Sequence, residues 1–153
     1  MHAVNNSLNK LVLDYLHTRT PLQPFFAPPD SVSNPYMNQG SHPDIVERVW
    51  KQIGSGLPMD SRCLVCGTPA LVQPVSGVIL AFCLGMAYCL RLPSGLMEEA
   101  LKQGSKTSTR WSNGTVLDAA KSFGPDWIFG GWKEEVQWCR KTYDAYSEPL
   151  IDP

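Results

Sequence analysis

No stretch of this sequence is both apolar enough and long enough to cross a bilayer. The longest uncharged apolar run, residues 78–90, falls short of the ~20 residues that a spanning helix needs, and Gly85 interrupts it. The opening Met1-His2-Ala3-Val4-Asn5-Asn6 has neither the basic nor the apolar region of a secretory leader. Basic charge is scarce as well. Lys and Arg number 13 against 14 Asp and Glu, which leaves a net charge of −1 without the basic stripe expected of a nucleic-acid binder. There is no internal repeat and no low-complexity tract.

Catalytic constellations are equally sparse. No serine sits in a G-x-S-x-G elbow, and neither Gly124-Pro125-Asp126 nor Gly130-Gly131-Trp132 is followed by the Lys-Ser/Thr of a phosphate loop. The adjacent acids Glu98-Glu99 and Glu134-Glu135 read as solvated helix faces. Cys63-Leu64-Val65-Cys66-Gly67 has the spacing of a zinc knuckle, but a structural zinc needs four ligands and no second C-x-x-C exists. Positions 63 and 66 of one strand would also face opposite sides. The remaining cysteines, Cys83, Cys89 and Cys139, lie among large apolar residues, where a thiol behaves as a small hydrophobe. Five reduced thiols and the absence of a leader point to the cytoplasm. Cys63 and Cys66 are the candidate reactive thiols. A redox pair of that spacing ordinarily opens a helix, whereas this one reads as strand. The expectation is no catalytic residue, no metal, no cofactor and no membrane association.

What is present suits one domain with a real core: 153 residues, 43% of them hydrophobic. Residues 1–40 read as an extension. In it Leu8, Leu11, Val12, Tyr15 and Leu16 form one face of a helix over 5–17, capped by Asn5 or Asn6. Pro21, Pro24, Pro28, Pro29 and Pro35 then enforce an extended arm, and Phe25, Phe26 and Tyr36 suggest that part of it lies on a surface. The compact unit spans 41–148, followed by a tail at 149–153. Ser41-His42-Pro43-Asp44 starts a helix with Ile45, Val46, Val49, Trp50 and Ile53 inward. A strand over 62–72, broken near Gly67 and Pro69, a second over 78–83 and a third over 86–92 make a meander. A helix over 95–103 follows, with Leu96, Met97, Ala100 and Leu101 inward. A hairpin turning at Asn113-Gly114 comes next, its second strand running over 115–123, where Ala119-Ala120-Lys121 also permits a helical turn. A last helix carries Trp132, Val136, Cys139, Tyr143 and Tyr146 on one stripe. The order argues a two-layer α+β domain with an antiparallel sheet of about five strands.

The segments Cys66-Gly67-Thr68-Pro69-Ala70-Leu71-Val72, Gly77-Val78-Ile79-Leu80-Ala81-Phe82 and Gly85-Met86-Ala87-Tyr88-Cys89-Leu90-Arg91-Leu92-Pro93 follow one another in order. Glu98-Glu99-Ala100, Gly104 and the closing Arg140-Lys141-Thr142-Tyr143-Asp144-Ala145-Tyr146 complete the series. Together they resemble the TfoX N-terminal-domain family and, more distantly, the MmcQ/YjbR-like proteins, over about residues 45–147. The resemblance implies an α-β3-α-β2-α arrangement similar to type III secretion chaperones. It implies no catalytic residues. The family often has an aromatic followed by two glycines at the break, where this chain has Cys66-Gly67-Thr68.

Aromatics crowd the C-terminal third. Trp132 fits the inward stripe, while Trp138 is offset from it and is expected to be partly exposed. Trp and Arg are enriched at interface hot spots, so Arg91, Arg110, Trp111, Trp127, Trp132 and Trp138 are the candidate binding residues. The alternative is that these tryptophans close the core. The leading expectation is a non-enzymatic protein-interaction or regulatory module, with a protein partner or a second copy engaged through residues 5–36. The alternatives are a small-molecule-binding or thiol-dependent enzyme and a nucleic-acid-linked transcriptional regulator.

Overall fold

The computed structural model describes residues 6–19, 26–37, 41–131 and 134–148. Pro21, Pro24, Phe25, Trp132 and the tail 149–153 lie outside the described residues, as does Asn5 as a cap. The Asn6 side chain accepts from the Leu8 amide at 3.0 Å and opens a 3-10 turn, Ser7–Asn9, that runs into α1 (Lys10–Arg19). The inward stripe of this segment differs from expectation. Asn9, Val12 and Leu16 are buried, whereas Leu8 and Leu11 are 43% and 48% exposed. The cause is Asn9. Its side chain donates to Gly77 O at 2.7 Å and accepts from Ile79 N at 2.9 Å, which turns the helix about its axis toward the polar ties. The helix therefore docks on its own chain.

The arm returns as β1 (Phe26–Ala27), and Tyr36 packs edge-on against Trp50 with ring centroids 5.4 Å apart. His42, not Ser41, caps α2 (Pro43–Glu47), its Nδ1 accepting from Asp44 N at 3.1 Å. The helix continues as a π-helical turn, Arg48–Gln52, and a 3-10 turn, Ile53–Gly56. All five residues expected inward here are buried.

The expected first strand is two strands. β2 (Arg62–Val65) and β3 (Thr68–Val72) pair antiparallel around a two-residue turn, Cys66-Gly67. Both turn residues have positive φ, 50° and 77°, as a type I′ hairpin requires. A cysteine at the first of them is uncommon, which hid the turn. β4 (Ile79–Leu84) and β5 (Ala87–Arg91) form the next hairpin. α3 (Met97–Lys102) buries Ala100 and leaves Leu101 exposed. β6 (Ser108–Arg110) and β7 (Val116–Asp118) pair only with each other, and α4 (Ala119–Phe123) takes the helical option. β8 (Trp127–Phe129), not foreseen, joins β5, and α5 (Glu135–Ala145) closes the chain.

The main sheet is antiparallel, six-stranded and ordered β1-β2-β3-β4-β5-β8, one strand larger than expected and without the β6–β7 hairpin. Its side chains alternate between two apolar clusters. Leu64, Leu71, Leu80, Leu90 and Ile128 face residues 45–57 and α5. Cys63, Val65, Ala70, Val72, Phe82 and Cys89 face α1 and α4. Both faces of the sheet are therefore covered, where two layers were expected, and the all-buried β4 follows from that.

Candidate functional site

The sequence-derived candidates separate into interior and surface groups. Arg91 is buried, and its guanidinium lies 4.8 Å from the centroid of the equally buried Trp127. Arg91 Nε donates to Ile79 O at 2.8 Å and Nη2 to Leu8 O at 3.2 Å. Burial lowers its pKa to about 10. Arg91 thus fastens the N-terminal segment to the sheet and is closed to a ligand. Trp138 is only 3% exposed, which corrects the expectation of an offset, surface-facing ring. It packs in the cluster under α5 because the inward face of that helix is Glu135, Trp138, Cys139 and Thr142.

All five cysteines are buried and none is in a disulfide. Burial pushes the Cys63 thiol up to about 12, Cys66 to about 11 and Cys139 to about 12; Cys83 and Cys89 rise as well. Reactive thiols need the reverse shift. Cys63 and Cys66 also share one cluster, since the chain turns between them. Among the described residues no group of three or more His, Cys, Asp or Glu is placed to hold a metal. No helix among them is long and apolar enough to cross a membrane.

One buried polar cluster escaped the sequence reading. Arg48 Nη2 lies 2.9 Å from Glu135 Oε1, Arg48 Nε donates to Tyr88 Oη at 3.2 Å, and the Tyr88 hydroxyl donates to Glu135 Oε1. Gly131 N donates to Glu135 Oε2 at 2.7 Å, and Arg48 Nη1 reaches Gln52 Oε1 at 3.1 Å. Burial, reinforced by the bond to Glu135, raises the Tyr88 pKa. This network couples the π-helical turn, β5 and α5. Its groups are mutually satisfied, so it holds the fold together and offers no free group for chemistry.

Arg110 and Trp111 have a different setting. They stand at the end of β6 on one wall of a cleft of about 800 Å³, together with Thr109 and Ser112. The C-terminal half of α1 contributes Tyr15 and Arg19 to the lining. Leu84, Met86 and Ala87 of the β4–β5 turn form the apolar floor, and His42 sits at the rim. His42 is brought there by its backbone, whose N–H donates to Gly85 O at 3.0 Å while Ser41 bridges Gly85. Among the described residues no carboxylate lines the cleft, and neither Arg19 nor Arg110 is in a salt bridge. Asp44 is the acid nearest His42, at 3.9 Å.

Tyr15 and Trp111 are half-buried and root in the α1–α4 cluster. Tyr15 packs edge-on against Phe123 with centroids 5.1 Å apart, which fixes its ring. Burial raises the Tyr15 pKa and the nearby Arg19 partly offsets this, so the hydroxyl is a neutral donor near neutral pH. The cleft therefore has two guanidinium groups outside any salt bridge among the described residues, two anchored rings and an apolar floor. No hydrogen bond among the described residues joins its hydroxyls to His42. No family model, curated protein or solved structure matches this chain.

Proposed function

We propose that this chain is a non-enzymatic regulatory module that binds a small organic anion in the cleft between α1, the β4–β5 turn and the β6–β7 hairpin. The observation that carries the reading is that Arg19 and Arg110, neither with a carboxylate partner among the described residues, line one concavity whose described lining holds no acid. A cleft of about 800 Å³ lies within the ~300–1,000 Å³ of small-molecule sites. Arginine presents a planar fork suited to phosphate or carboxylate. Isothermal titration calorimetry of the intact protein with phenyl phosphate tests it. Saturable binding that weakens with salt and is lost in Arg110→Ala is expected; no binding at millimolar ligand overturns the reading.

The resemblance to TfoX N-terminal domains over about residues 45–147 belongs with this proposal; the succession of helix, antiparallel strands and helix supports it, whereas a fourth strand before α3 and the added α4 and β8 depart from the α-β3-α-β2-α order it implies. The raised Cys63 and Cys66 pKa values weigh against a thiol-dependent activity, and a reducing, cytoplasmic setting is supported by five buried thiols outside any disulfide. A nucleic-acid-linked role has little support in a net charge of −1.

A second reading concerns partners. Residues 5–36 are the expected partner surface, and docking of α1 on its own sheet buries Val12 and Leu16 of that segment. Its outward Leu8 and Leu11 still present apolar surface to a second copy. Light scattering after size exclusion decides this: a dimer that reverts to monomer in Leu8→Ser/Leu11→Ser supports it, and a monomeric parent removes it.

A further inference from the structure

We infer that the anion taken by this cleft carries a flat ring: a phosphate or carboxylate on an aromatic or heteroaromatic group, of about nucleoside monophosphate size. This rests on the anion-binding reading above and specifies the ligand of the same site.

Charge alone would call for less than the cleft provides. An inorganic anion needs two or three donors in a small concavity, and Arg19 with Arg110 would suffice. Instead the two arginines line a cleft of about 800 Å³ together with two aromatic rings, Tyr15 one helical turn before Arg19 on α1 and Trp111 next to Arg110 in sequence. Each ring is anchored by the α1–α4 cluster and leaves part of its surface uncovered. Rings held in this way lose little freedom when a planar group stacks on them, whereas mobile side chains would have to be ordered first. The floor of Leu84, Met86 and Ala87 adds contact for an uncharged body and nothing for a bare anion. Met86 is 69% exposed, and its unbranched thioether can settle over a ring of variable outline.

Neither guanidinium is held by a competing group. Arg110 Nη1 makes one long contact, 3.4 Å, to Gly114 O of its own hairpin, and no hydrogen bond or ion pair engages Arg19 among the described residues. Both remain available to an incoming anion. Thr109 and Ser112 place hydroxyls on the same wall as Trp111, suited to a hydroxylated linker between ring and anion. A long polyanion fits poorly. Among the described residues Arg19 and Arg110 are the arginines and lysines that line the cleft, and the protein as a whole carries net negative charge.

The test is calorimetry on the full chain with three probes: adenosine monophosphate, adenosine and inorganic phosphate. The monophosphate is expected to bind roughly tenfold or more tightly than either of the others, the size of effect that base–aromatic stacking produces. Trp111→Ala should bring the monophosphate down to the level of inorganic phosphate without changing phosphate binding, and Trp111→Phe should retain most of the difference. Near-ultraviolet circular dichroism checks that both variants remain folded. Equal binding of the monophosphate and inorganic phosphate, unchanged by Trp111→Ala, overturns the ring while leaving the anion reading intact. Adenosine binding as tightly as its monophosphate overturns the anion reading itself, as does a lack of binding by all three.

Discussion

The carboxamide of Asn9 stands in for a neighbouring strand at the start of β4, accepting from the Ile79 amide at 2.9 Å while donating to Gly77 O at 2.7 Å. Ile79 also gives its carbonyl to Arg91 Nε at 2.8 Å, so both backbone groups of one residue are held by side chains. Asn6 extends the pattern by donating to Ser76 O at 3.1 Å. An apolar helix stripe alone fixes a helix weakly in rotation. These polar ties fix it in register as well, and they orient the end of α1 that forms a wall of the cleft.

Asn9→Ala leaves the Ile79 amide and the Gly77 carbonyl buried without their partner. An orphaned buried group costs about 1–3 kcal/mol. A loss of about 2–3 kcal/mol in urea unfolding is expected, with Asn9→Leu no better despite its apolar surroundings. A change below about 0.5 kcal/mol would mean that the helix is not held by this residue.

The Arg48–Glu135 pair predicts an asymmetry. Removing one member of a buried pair strands a charge, at about 3–5 kcal/mol, whereas replacing both with apolar residues is often close to neutral. Glu135→Leu should therefore destabilise far more than the Arg48→Met/Glu135→Leu double variant, as read from denaturant midpoints. Additive losses would contradict the description of a closed network.

Gly130 lies against Tyr88. A Cβ at residue 130 would meet the Tyr88 ring at 1.9 Å, and that ring is 2% exposed with its hydroxyl engaged by Arg48 and Glu135. The ring has nowhere to move. Gly130→Ala is expected to cost about 3 kcal/mol or more, beyond the usual range of overpacking. A relief of the loss in Gly130→Ala/Tyr88→Ala, relative to the sum of the single changes, identifies the clash as its source.

The thiols set an alkaline limit. Cys63, Cys66 and Cys139 ionise at about 12, 11 and 12 in the folded chain, against an ordinary value of 9.0. Between pH 9 and these values the unfolded chain releases protons that the folded chain retains, so ionisation favours unfolding. The contribution is fully present below pH 9 and is lost as pH rises through that window. Unfolding midpoints should fall steadily above pH 9, and Cys66→Ala should flatten the early part of the decline. At pH 8 iodoacetamide should label none of the five cysteines without denaturant and all of them with it. Rapid native labelling of Cys63 or Cys66 would revive the reactive-thiol reading.

Elements whose periodicity agrees with their packing were legible in the sequence. The face of Ile45, Val46, Val49, Trp50 and Ile53 is buried throughout, and the buried Arg48 beside it finds its partners without displacing the stripe. Legibility ended where a polar side chain took an inward position. Asn9 and Glu135 each rotate a helix away from the face that its apolar residues suggest, Asn9 through Gly77 and Ile79, 68 and 70 residues away, and Glu135 through Arg48 and Tyr88, 87 and 47 residues away. Cys66-Gly67 turned the chain without the usual Asn or Asp, and Trp127–Phe129 is too short to show a period. The cleft was visible only as Arg110 and Trp111, because its other walls come from α1, His42 and the β4–β5 turn. No local pattern connects those segments; the fold brings them together.

The ties of the N-terminal helix all run forward, from Asn6, Leu8 and Asn9 to Ser76, Gly77, Ile79 and Arg91. During translation α1 leaves the ribosome ahead of every group that anchors it, and at 10 residues it has little stability while it waits. Its docking must follow synthesis of most of the sheet. The Tyr15–Arg19 wall is therefore assembled late, so a nascent chain arrested before residue 91 emerges would have no complete receptor for any ligand.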